Sequence, residues 1–372
     1  MSDRVDLEEP QVGDFQLPRA PGGGPVIQEP LWRIRLRLFR KALRRNWALF
    51  AKNKIGLVGL GIIIAFALAA LAHPILMDRV WDPAIYDPVR GYDAPRTEFL
   101  VVENGTVEDP TSEIDHATAR LKTTPFVKVG ETISIPSQPA PPSDSHWLGT
   151  DPLGRDILSQ LMYSTRAAFL LGAIAAFVTV LIATTVGSIA AYFGGWIDSL
   201  LMRFADLVLL VPLIPILIVI SSLFTLTLPL LGVLIGILSG FGGTAIVLKS
   251  QALSVSVKPF IDAARVAGGS NAHIIFRHII PNVLPLSFLY MMFTVTEAIA
   301  LEATLSFLGL MNVQMSWGLM INVAHSSGYL LSGTSYWWLL IPAGMAVTLL
   351  AAAFFLAGRA MDEVVNPRLR RR

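Results

Sequence analysis

Three carboxylates stand in or at the edges of long apolar runs: Asp206, Glu297 and Glu302. A charge in hydrocarbon is costly, so such a group either pairs with a fixed partner or faces an aqueous cavity as a residue of a passage. Both readings stay open for these three, with Arg203 or a second subunit as the structural partner. His273 and His278 lie in one polar loop, where packing or exposure accounts for them better than metal ligation or proton relay. No cysteine is present, which removes disulfides, thiolate metal sites and cysteine nucleophiles. No G-x-x-x-x-G-K-[ST] sequence occurs, so ATP is not held in the usual P-loop way, and neither H-E-x-x-H nor a Ser/His/Asp arrangement appears. No catalytic residue, resident metal or cofactor is expected on this chain.

The elements that must hold these acids are membrane helices. The chain of 372 residues is 53% hydrophobic and 15% charged, with a mean hydropathy of +0.58, above the apolar share of ordinary soluble domains. Because hydrocarbon cannot satisfy broken backbone hydrogen bonds, spanning segments are expected as helices of about 20 apolar residues. Six runs meet that length: 55–77, then roughly 167–192, 204–224, 229–248, 283–304 and 337–358. The fold class expected is therefore an all-α integral membrane protein. A net charge of +2 gives no reason to expect a nucleic-acid partner.

Around these spans the organisation reads as follows. Residues 1–30 are polar, rich in Pro and Gly, and read as a disordered cytoplasmic tail. Segment 31–54 has apolar residues at helical spacing among many arginines and reads as an amphipathic helix on the membrane interface, anchored by Trp32 and Trp47. Residues 78–165 form a Pro-, Asp- and Thr-rich outer insertion, in which Phe99–Val102 and Phe126–Ile135 could build a small sheet. Asn104-Gly105-Thr106 matches a glycosylation acceptor, a triplet that chance supplies often. A five-helix core over 166–358 and a basic tail over 359–372 complete the chain. Inner segments carry Arg203, Lys249, Lys258, Arg265, Arg277 and Arg359, whereas 225–228 and 305–336 carry no Lys or Arg. This bias puts both termini in the cytoplasm of a multi-pass protein in the cell membrane.

The inner loop 250–281 is longer than a plain connection needs. Pro259 suits a first helical turn, Asp262 its positive end, and Gly268-Gly269 a stop. Ser270 or Asn271 can then cap a second short helix that Pro281 ends or kinks. The result is a helix-turn-helix at the membrane surface, with Ala263, Ala264 and Ala267 leaving one face small enough for a partner's close approach and Asp262 and Arg265 at its rim.

This loop resembles the signature loop of ABC importer permeases, EAA, three residues, G, nine residues, I, one residue, LP. Here it stands as Asp262-Ala263-Ala264-Arg265, Gly268, His278 and Ile280-Pro281, with Asp for Glu, His for the first Ile and Ile for Leu. The segment from His146 to Asp156, containing Gly149, Thr150, Asp151, Gly154, Arg155 and Asp156, is similar to the HWLGTDxxGRD stretch of the C-subunit type in the dipeptide, oligopeptide and nickel permeases. Arg203-Phe204-Ala205-Asp206 with Pro212, Leu305 to Leu310, and Trp317-Gly318 match the same group, while the C-terminal pattern at Gly358–Pro367 has its Arg and first Asp exchanged. The resemblance implies a binding-protein-dependent permease whose loop docks into ATPase subunits as a coupling helix. It also implies a homologous second permease, two ATPase subunits carrying ATP and magnesium, and an outer solute-binding protein, all working in membrane lipid. Di- or oligopeptides are the expected cargo. Two rival classes are a secondary transporter driven by an ion gradient, for which the buried acids would be coupling sites, and a membrane-embedded enzyme.

Overall fold

The computed structural model describes residues 31–90, 96–103, 106–107, 132–136, 138–331 and 334–365. The expected tail 1–30, the acceptor triplet's Asn104 and Gly105, part of the expected second β-run, and residues 366–372 lie outside the described residues.

Helix α1, Leu31–Phe50, belongs to a unit separate from the rest of the chain. Arg33, Arg37, Arg40, Lys41 and Arg44 recur along one face and line a single shallow groove, and Trp47 is exposed. The other expected anchor, the Trp32 side chain, lies outside the described residues.

In the second unit, α2, Lys54–Arg79, opens on Asn53, whose Oδ1 accepts from the Gly56 N–H at 3.0 Å. After the short α3, Pro83–Tyr86, three antiparallel strands, β1 Arg96–Glu103, β2 Thr106–Val107 and β3 Thr132–Pro136, form a sheet of order β2-β1-β3. Thr97 faces Ile135 and Phe99 faces Ile133, so Phe99–Val102 is a strand inside the 78–165 segment. The rest is helical: α4 Ile157–Phe193, α5 Gly195–Leu210, α6 Leu213–Leu223, α7 Leu228–Phe241, α8 Gly243–Ser256, α9 Pro259–Val266, α10 Asn271–Ile274, α11 Ile280–Phe307, α12 Trp317–Ser326 and α13 Trp337–Val365.

Among the described residues four helices are long and apolar enough to cross a membrane, and six spans result if α5–α6 and α7–α8 each count as one. This matches the all-α membrane class. Four boundaries differ from the sequence expectation. The run 204–224 is not one straight helix: α5 and α6 meet at 80°, because Pro212 has no N–H to donate and holds Val211 extended at φ −78°, ψ 117°. The run 229–248 bends by 46° at Gly242. Helix α4 starts at Ile157, inside the segment assigned to the outer insertion, since Asp156 caps it there. Helix α13 continues to Val365, so the expected tail begins as helix. The connection 305–336 also builds a helix of its own, α12.

Helix α4 has 37 residues and passes through three apolar clusters, one shared with α11, α12 and α13, one with α6, α7 and α11, and one with α8 and the inner loop. Its closest neighbour is α7. Gly232, Gly236 and Gly240 repeat every fourth residue on α7 and face Ile174, Val178 and Ile182, which repeat the same way on α4. A Cβ at Gly236 would stand 2.5 Å from the Val178 Cβ. Gly236→Ala is therefore expected to cost about 1–3 kcal/mol through overpacking. Thermal unfolding in detergent should show the loss; an unchanged melting temperature would refute this contact.

Candidate functional site

The inner loop folds as a hairpin of two helical pieces. Pro259 sits in the first turn of the eight-residue α9, and the helix ends on Gly268 at φ +83°, a left-handed position that a side chain would strain. The Gly269 N–H donates to Ala264 O and the Gly268 N–H to Arg265 O, each at 2.9 Å, which is a Schellman closure. Ser270 then caps α10, its Oγ accepting from the His273 N–H at 3.3 Å. Of the two outcomes the sequence allows at Pro281, an end or a kink, the helix does not end there. A π-helical turn over Ile275–Ile279, closed by the Ile280 N–H on Ile275 O, widens the backbone just before it, and α10 runs on through the turn into α11.

The hairpin is rooted in the membrane helices. Ile261, Ile274, Ile275 and Ile279 are buried in one cluster with Ala183 of α4, Leu248 of α8 and Val283 of α11, with Ile280 packed on its edge. Polar ties reinforce it: Tyr192 Oη donates to Asn271 Oδ1 at 2.8 Å, and the Arg265 guanidinium lies 5.2 Å from the Tyr192 ring. Nearby, Lys249 of α8 pairs with Asp198 of α5.

Of the signature residues, Asp262, Ala263, Arg265, Gly268 and Pro281 are exposed, and Asp262 pairs with Arg265 at 3.3 Å. Ala264 corrects the sequence reading. It lies three residues after the buried Ile261, hence on the same side of α9, and packs half-buried against the hairpin's own cluster. The open face is Phe260, Ala263, Val266 and Ala267, with Val266 90% exposed. Val266 and Phe260 carry this face and were missed, although helical spacing from Ile261 would have found them. The His273 and His278 rings meet edge to face at 5.5 Å. Among the described residues no group of three His, Cys, Asp or Glu could hold a metal ion.

The motif ahead of α4 is a second, separate constellation. Asp151, 5% exposed, accepts from Arg155 Nε on Oδ2 at 2.7 Å, with a terminal nitrogen of the same guanidinium 2.6 Å from that oxygen as an ion pair, and its Oδ1 accepts from the Leu153 and Arg155 N–H groups. Asp156 accepts from the Ser159 N–H at 2.7 Å and pairs with His146 at 2.9 Å. Thr150 exchanges hydrogen bonds with Ala140 and receives the Trp338 indole N–H at 3.2 Å. Gly149, at φ +75°, lies where a Cβ would come 2.5 Å from Ala140 O. Gly154 has φ +78° and donates its N–H to Asp151 O. The motif residues thus fasten the start of α4 to α13; they bind one another.

The three intramembrane acids are not brought together. Asp206 is exposed on α5 and makes no ion pair with Arg203. Glu302 is buried and accepts from Ser306 Oγ at 2.6 Å. Glu297 lines a cavity at the two helix breaks.

Residues 183–371, which contain the whole hairpin, match the family described as binding-protein-dependent transport system inner membrane component. The chain belongs to this family. The inner membrane component is also 35% identical over 243 residues to the dipeptide transport system permease protein DppC of Bacillus subtilis, covering 64% of this chain and 73% of that one. It is 35% identical to the oligopeptide transport system permease proteins OppC of Mycobacterium tuberculosis and Haemophilus influenzae, covering 61% and 60% of this chain and 77% and 70% of theirs. The matched family and the long apolar helices together make it a multi-pass membrane protein, an ABC transporter permease of the kind its signature loop resembles.

Proposed function

We propose that this inner membrane component is the permease subunit of an ABC importer that passes a di- or oligopeptide delivered by an external solute-binding protein. The observation that carries the reading is the hairpin of α9 and α10, a rigid element with an open apolar face and a core continuous with three membrane helices. On this reading two ATPase subunits, which bind ATP and magnesium, seat on that face, and a homologous second permease completes the passage. The names of the DppC and OppC relatives support a peptide as cargo. Both termini lie in the cytoplasm, in keeping with Lys and Arg in the segments assigned inside and their absence from 225–228 and 305–336.

When ATP closes the ATPase pair, the hairpin is displaced. Packed helices move as bodies because their interiors are close-packed. Ile261, Ile274 and Ile279 share a cluster with Ala183, Leu248 and Val283, so the push reaches α4, α8 and α11 directly.

Purified subunits in proteoliposomes test this. Uptake of a labelled dipeptide should require this chain, the second permease, the ATPases, the binding protein and ATP together. Uptake by this chain alone, driven by an ion gradient, would replace the reading with a secondary transporter.

A further inference from the structure

The two helix breaks lie against one another. The bend between α5 and α6 at Val211-Pro212 and the bend between α7 and α8 at Gly242 both line a cavity of about 500 Å³ whose third wall is α11. Its lining includes Val211, Ser239, Gly242, Tyr290, Thr294 and Glu297. Broken backbone at membrane depth is tolerated where it borders protein or a polar cavity. Depth follows from helix rise: Glu297 lies 17 residues after Ile280 and 10 before Phe307, or about 26 Å and about 15 Å along the axis. It therefore stands well inside a hydrocarbon core about 30 Å thick.

The carboxylate is poorly matched within the chain. Its one hydrogen bond among the described residues is from Ser239 Oγ, at 3.3 Å. No Lys or Arg lines the cavity. The nearest basic candidates by sequence are committed or elsewhere, Lys249 to Asp198 and Arg203 to an exposed face of α5. Glu297 is exposed on the wall of this open cavity, so the cation that an intramembrane acid needs comes from outside the chain, as a group of a second subunit or as a visiting ligand.

The chemistry of the lining narrows that cation. A hard metal ion needs six or more oxygen ligands, and a single carboxylate with hydroxyl neighbours supplies too few. The remaining lining is aliphatic and aromatic, with Tyr290 and Phe293 offering ring faces that attract an organic cation. The volume is that of a small-molecule site.

We propose that this cavity is a transient site for a primary ammonium group, with Glu297 as counter-ion, Ser239 orienting its carboxylate, and the free N-terminus of the cargo as the group received. Naming that cargo a peptide rests on the function proposed above; the ammonium site itself does not.

The test uses the assembled importer in detergent without its binding protein, titrated with labelled dialanine and with N-acetyl-dialanine. The wild type is expected to bind dialanine at least about tenfold more tightly, and Glu297→Gln to bind the two equally. Equal wild-type affinities, or a preference kept in Glu297→Gln, would overturn the site. The wild-type pair of titrations stands even if the variant fails to assemble. If neither peptide binds, butylammonium decides: saturable binding lost in Glu297→Gln keeps the ammonium site and discards a peptide as its occupant, and no binding overturns the site while leaving the importer reading to the uptake assay.

Discussion

Val266→Asp is expected to strip the ATPase subunits from the purified complex while leaving the permease folded. Val266 is 90% exposed at the end of α9, so its replacement disturbs no internal packing. If the open face of α9 is the docking surface, the new carboxylate is buried against the partner without a counter-charge. It also adds a second acid on the helix that already presents Asp262. Burying an unpaired charge in an interface costs about 2 kcal/mol or more, roughly a thirtyfold loss in affinity. Val266→Ala should retain most of the partner. Ala264→Arg is the informative contrast: Ala264 packs half-buried on the hairpin's own cluster, so this variant should lower the melting temperature of the permease itself as well as lose the partner. Co-purification read beside thermal unfolding separates the two. Retention of ATPases by Val266→Asp would place the docking surface elsewhere.

The difference between those two positions shows where the sequence was legible and where it stopped. Length and apolarity were enough for the spans, and Pro259, Gly268 and Ser270 marked the hairpin's ends, because each is a local backbone preference. Which side of α9 meets the body is set by Ile261 reaching a cluster built by residues far away in sequence, and alanines at 263, 264 and 267 look alike until that contact is known. The breaks have the same character. Pro212 predicts a kink locally, but its 80° size and its meeting with the bend at Gly242 depend on packing. The glycine repeat Gly232-Gly236-Gly240 was in plain view, yet its meaning needed Ile174, Val178 and Ile182 opposite. For the motif from His146 to Asp156 the residue types suggested a site, and the folded chain spends nearly all their polar groups on one another.

That last arrangement makes Asp151 the position outside the membrane where a single substitution should hurt most. Its two oxygens accept three hydrogen bonds, from the Leu153 and Arg155 N–H groups on Oδ1 and from Arg155 Nε on Oδ2, and Oδ2 also pairs with a terminal nitrogen of the same guanidinium. Arg155 is 5% exposed, so Asp151→Ala leaves a guanidinium buried without its counter-charge and two backbone donors unmet. Removing one member of a buried pair costs about 3–5 kcal/mol, far above the value of a surface pair. The damage should spread along a defined route. The Asp151 N–H donates to Arg155 O, and Gln160 Nε2 donates to that same carbonyl, while Thr150 O holds Trp338 of α13. Loss of the Asp151 turn therefore frees the start of α4 from α13. Asp151→Ala is expected to lower thermal stability in detergent strongly and to raise hydrogen exchange over residues 149–160, and Asp151→Ala/Arg155→Met should recover part of the loss by removing the stranded charge. A double variant no more stable than the single one would mean that the backbone bonds to Asp151 Oδ1, and not the ion pair, hold this turn.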